Sequence, residues 1–172
     1  MILGLSTASF TLFHVVLSLI GIASGLVVVV GMWSASRLDG WTALFLATTV
    51  ATSVTGFLFH SAHFGPLHVV GLISLVVLVL AILARYSFHL AGSWRWIYVI
   101  TAVLALYFNV FVGVVQAFQK LALLQPLAPT GSEPPFVVTQ GLVLVAFAVF
   151  TVFALKRFYP ARDSHAVSMR IP

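Results

Sequence analysis

The sequence predicts an all-α bundle of five membrane-spanning helices, and three observations carry that prediction. Of 172 residues, 62% are hydrophobic and only 6% charged; the chain contains long stretches with no charged side chain; and its cations fall on one side of the alternating turns between those stretches. A soluble domain is about 45–50% apolar and about 25% charged, so the composition excludes a water-soluble fold. Disorder needs low hydrophobicity and high net charge, and a disulfide scaffold needs Cys, of which there is none.

Each span follows from the charge map. A hydrocarbon core about 30 Å thick takes about 20 helical residues at about 1.5 Å each. No charge precedes Arg37, which places the first span at about 10–32. That run outlasts a signal-peptide core and has no Lys or Arg before it, so it is expected to be a retained helix. The uncharged stretch 40–84 is too long for one crossing. Gly65-Pro66 divides it into spans 41–60 and 67–85, because Pro lacks the N–H and restricts the residue before it. Stretches 96–119 and 134–155 supply spans 95–118 and 136–156, leaving 157–172 as a short tail. The whole chain is expected to be one transmembrane domain.

Arg37, Arg85, Arg95, Lys156, Arg157, Arg162 and Arg170 fall on one side and Lys120 on the other. By the positive-inside rule the first side is cytoplasmic, so the N-terminus is expected outside and the tail in the cytoplasm. The net charge of +5 then reflects sidedness rather than a nucleic-acid patch. The expected setting is a plasma membrane, that of a bacterial inner membrane, with the lipid bilayer as the first partner. Trp33, Trp41, Trp94, Trp96 and Tyr98 gather towards the cytoplasmic ends, where amphipathic rings favour the interface. The longest linker, 119–135, carries Pro126, Pro129, Pro134 and Pro135 and is expected to lie stiff and extended over the outer face. In general form the chain resembles small bacterial inner-membrane proteins, a likeness that carries no activity.

Polar residues recur at helical spacing. His14, Ser18, Gly21 and Gly25 form one stripe; Thr49, Ser53, Gly56, His60 and His63 a second; Asn109, Gly113, Gln116 and Lys120 a third. Small and hydrogen-bonding residues let membrane helices approach one another, so packing accounts for the Gly, Ser and Thr positions. The histidines point further. His14, His60, His63 and His68 come from three helices to one face at similar depth, whereas His89 and His165 lie elsewhere.

Imidazole is the commonest ligand for transition metals and binds neutral, through one nitrogen, while an acceptor orients the other. A metal reading therefore takes His14, His60, His63 and His68 as ligands to Cu, Zn or Fe, although their spacing matches no standard zinc signature. Haem b held by two histidines from different helices is the other leading reading. Asn109, Gln116 and Gln140 are expected to complete the shell, and Glu133 lies just before the last span. Quinone is a third reading, with Asn109, Gln116 and histidine bonding its carbonyls and Phe57, Phe59 and Phe108 flanking the ring. The expected role is that of a redox or cofactor-holding membrane component. The rivals are a cofactor-free accessory subunit or scaffold of a larger membrane complex or homo-oligomer, and a small channel or carrier. No Gly-x-Ser-x-Gly elbow, phosphate loop, dinucleotide fingerprint or Cys nucleophile is present, which speaks against a hydrolase.

Overall fold

The computed structural model describes residues 2, 4–59 and 65–159. Over these the chain is helical: α1 (Thr7–Trp33), α2 (Asp39–Gly56), α3 (Pro66–Ile82), α4 (Trp94–Lys120) and α5 (Pro134–Arg157). A π turn, Leu83–Ser87, prolongs α3, and a 3-10 turn, Gln125–Leu127, lies between α4 and α5.

The helix starts follow local chemistry. Ser6 caps α1, its hydroxyl accepting the Ser9 N–H at 3.1 Å. Pro66 opens α3 where its missing N–H costs nothing, and His68 reaches back so that its Nδ1 accepts the Gly65 N–H at 3.1 Å. Asp39 sits in the first turn of α2, favourable to the helix dipole. The turn into α2 is tight, with Ala35 at φ 54° and Leu38 at φ 43°, both left-handed positions that disfavour side chains.

Among the described residues four helices are long and apolar enough to cross a membrane: α1, α3 with its π turn, α4 and α5. α2 differs. Its 18 residues rise about 27 Å, and five of them are Thr. Their hydroxyls turn back on the helix, Thr48 donating to the Leu44 carbonyl and Thr55 to that of Ala51, both at 2.7 Å. These two hydroxyls are satisfied within the helix, as an apolar surround requires, whereas those of Thr49 and Thr52 are not. The second expected span also ends sooner than position 60, since α2 stops at Gly56.

α5 lies at the edge of the bundle and buries only Phe147 and Ala154. Val138, Leu142, Val145 and Val152 stay exposed, an apolar face suited to lipid. The core proper joins Met32, Phe45, Leu78, Val99 and Leu106. Beside it, three side chains expected at the interface are turned inward: Arg85 is 2%, Arg95 8% and Tyr98 1% exposed. The cause is pairing. Arg85 bonds Asp39 and the Arg37 carbonyl and lies over the Tyr98 ring. Arg95 Nη1 donates to the Phe158 carbonyl at 2.7 Å and the Leu155 carbonyl at 3.3 Å, closing the end of α5.

The linker expected to be extended instead folds as consecutive turns. Leu124 and Gln125 both donate to the Leu121 carbonyl, Ala128 to that of Gln125, and Gly131 to that of Ala128. Glu133 accepts from the Thr130 and Ser132 N–H groups, both at 3.0 Å, and from the Thr130 hydroxyl at 2.8 Å. Partial desolvation raises its pKa, but these bonds to the charged form outweigh it and hold the carboxyl at about 2.

Candidate functional site

A cavity of about 450 Å³ lies among α1, α2, α3 and α4, within the range of about 300–1,000 Å³ that small-molecule sites occupy. It lies towards the end of α4 that carries Lys120, away from Arg85 and Arg95. The polar stripes form its walls. α1 contributes His14 and Ser18; α2 contributes Thr49, Thr52, Ser53 and Gly56; α3 contributes His68 and Ser74; α4 contributes Asn109, Gly113, Gln116 and Lys120. Between them stand apolar side chains, among them Val15, Leu19, Ile22, Phe57 and Phe108. Stripes that in the sequence account for helix packing thus also surround open space.

His14 is the best-determined polar group in the wall. Its Nδ1 lies 2.8 Å from Thr55 Oγ1. Thr55 has one hydroxyl hydrogen, and the Ala51 carbonyl also lies 2.7 Å from Oγ1. When that hydrogen goes to Ala51, Thr55 accepts from His14, with the ring proton on Nδ1 and the lone pair on Nε2. Phe59 packs edge-on against the ring, centroids 5.2 Å apart, and fixes its plane.

His68 has the opposite arrangement. Because its Nδ1 accepts from the Gly65 backbone, the neutral ring carries its proton on Nε2 and presents a donor there. The two cavity histidines thus differ in what holds Nδ1, a hydroxyl for His14 and a backbone N–H for His68.

Deeper in, Ser18 Oγ donates to Asn109 Oδ1 at 3.0 Å. Asn109 Nδ2 and the hydroxyls of Thr49 and Thr52 are buried with no hydrogen-bond partner, and all three residues line the cavity. Each such group left unsatisfied costs about 1–3 kcal/mol. Gly21 makes this cluster possible, because a Cβ there would stand 2.9 Å from Asn109 Nδ2 and 3.1 Å from Thr49 Oγ1.

Of the expected site residues, His14, His68, Asn109 and Gln116 meet at this cavity. Gln140 does not line it; its Nε2 donates to the Phe111 carbonyl at 3.1 Å, tying α5 to α4. His60 and His63 lie outside the described residues, as does His165. Glu133 is occupied by its own loop. Among the described residues no group of three or more His, Cys, Asp and Glu side chains is placed to hold a metal ion.

Two residues escaped the sequence reading. Thr55 lies off the Thr49, Ser53, Gly56 stripe, and nothing in the sequence shows that it meets a histidine 41 positions earlier. Lys120, eleven residues after Asn109, belongs to the third stripe and marks sidedness, but the sequence assigns it no place among the site residues. No family model, curated protein or solved structure matches the chain.

Proposed function

We propose that this is a five-span protein of a bacterial inner membrane, N-terminus outside, that holds a redox cofactor in the outer half of its bundle. The observation that carries this reading is the His14–Thr55 pair. Locking the proton on Nδ1 and keeping a lone pair on Nε2 is how a protein prepares a histidine to bind a metal centre. Haem b is the cofactor favoured here: His14 would hold it through Nε2 against the apolar walls of the cavity, with His60 or His63, both outside the described residues, as the other candidate ligand. His68, with its Nδ1 engaged, acts as a hydrogen-bond donor instead. A bare Cu, Zn or Fe ion is favoured less, since it would depend on His60 and His63 joining His14. The unpartnered Asn109 amide and Thr49 hydroxyl favour quinone as a second reading, because a carbonyl oxygen would satisfy them.

Purification into lipid nanodiscs followed by visible spectroscopy, elemental analysis and solvent extraction tests the proposal. The expected result is a Soret band with near-stoichiometric iron, lost in His14→Ala. Extractable quinone without iron would favour the second reading. Absence of haem, metal and quinone would overturn the cofactor role and leave the accessory or scaffold alternative.

A further inference from the structure

We infer that the ligand of this cavity carries an anionic group and that Lys120 receives it. The inference rests on the cavity being a ligand site, but not on the ligand containing iron. Asn109, Gly113, Gln116 and Lys120 lie on one face of α4, and all four line the cavity. Lys120 thus belongs to the cavity wall, unlike a lysine that merely snorkels from a lipid-facing position.

The charge balance around it is unusual. The chain has three acidic residues. Asp39 pairs with Arg85 at the opposite end. Glu133 is engaged by Thr130 and Ser132. The third, Asp163, belongs to the tail beyond the last helix and lies outside the described residues. Among the described residues Lys120 forms no ion pair, and the other titratable side chains lining the cavity are His14 and His68. Lys120 is itself exposed, so its ammonium stands at the mouth of the cavity, open to an incoming anion with no carboxylate paired to it. Below it, Asn109 is 7% exposed with an unpartnered amide nitrogen, a buried donor that a ligand oxygen would satisfy. The ligand class is an amphiphile: an apolar body between α1 and α3 and a carboxylate or phosphate at Lys120. A haem with its propionates belongs to this class, and so does a long-chain carboxylate.

The test uses the full chain in phosphatidylcholine nanodiscs, titrated with haem b, haem b dimethyl ester, a long-chain fatty acid and the matching fatty alcohol. Wild type is compared with Lys120→Gln and with Lys156→Gln as a control at the other end. Lys120→Gln is expected to weaken an acidic probe about tenfold or more, while the esterified or alcohol probe binds both proteins alike and Lys156→Gln behaves as wild type. Lys120-dependent binding of the fatty acid without haem binding would reject the haem reading and support this inference. Equal binding of acidic and neutral probes, no change in Lys120→Gln, or binding of none of the four would overturn it.

Discussion

Arg85, in the π turn after α3, reaches back to Asp39 at the start of α2, joining two helix ends 46 positions apart in sequence. The pair is asymmetric, for the Arg85 side chain is 1% exposed and that of Asp39 75%. Arg85 also donates to the Arg37 carbonyl at 2.9 Å, so one guanidinium anchors the α1–α2 turn and the α2 terminus together.

Removing the carboxylate should therefore be worse than removing the charge. Asp39→Ala leaves a buried guanidinium without its anion and is expected to cost about 3 kcal/mol, near the low end for a broken buried pair. Arg85→Met keeps much of the volume and removes the need for a counter-charge, and about 1 kcal/mol is expected. Thermal unfolding in detergent checks the order, and a reversed order would show that Arg85 contributes by packing alone.

On the proposed haem reading, Thr55 should control affinity through His14. Thr55→Val removes the acceptor that fixes the His14 proton and is expected to weaken haem binding about 10–100-fold, the usual effect of losing such a partner. Thr55→Ser retains the oxygen and should bind nearly as wild type. Equal affinity in Thr55→Val, read from the Soret titration, would rule out tautomer control.

The glycines should separate by the space around them. A Cβ on Gly25 would stand 2.6 Å from Leu106 Cδ1, and one on Gly21 2.9 Å from Asn109 Nδ2. Ala at either position is expected to cost about 1–3 kcal/mol through overpacking. Gly56 and Gly113 meet their nearest neighbours at 3.7 Å, so Ala there should be neutral or stabilising by up to about 1 kcal/mol through helix propensity. Melting temperatures of the four variants provide the comparison.

Glu133 gives a pH prediction of definite sign. Its carboxyl is held at about 2, below the 4.5 of the free group. The folded loop therefore prefers the charged form, so its contribution is fully present above about pH 4.5 and is lost as pH falls through about 2. A carboxyl-carbon NMR titration should find a midpoint near 2 that moves back towards 4.5 in Thr130→Ala. A wild-type midpoint at 4.5 would mean that the loop hydrogen bonds do not persist in solution.

Topology is testable because the chain has no Cys. Ser132→Cys should react with an impermeant maleimide from outside the cell, and Ser93→Cys only after the membrane is broken. The opposite pattern would invert the orientation.

The five helices and the start of α3 at Gly65-Pro66 were legible in the sequence because each depends on local chemistry: hydropathy over about 20 residues and a missing N–H. The stripes were legible too, since 3.6-residue periodicity is a property of one helix. Whether the three stripes close on one another or leave a space is not such a property. It depends on how far apart the helices pack, which side chains such as Phe45 against Gly25 and Phe57 against Gly71 decide. The burial of Arg85 and Arg95 was hidden for the same reason, as their partners lie 46 to 63 positions away. Composition and periodicity by themselves determined that this chain is a set of long apolar helices suited to a bilayer. Only the tertiary structure decided that His14 meets the Thr55 hydroxyl while His68 accepts from the Gly65 N–H, because a histidine's partner is set by the atom it meets across space.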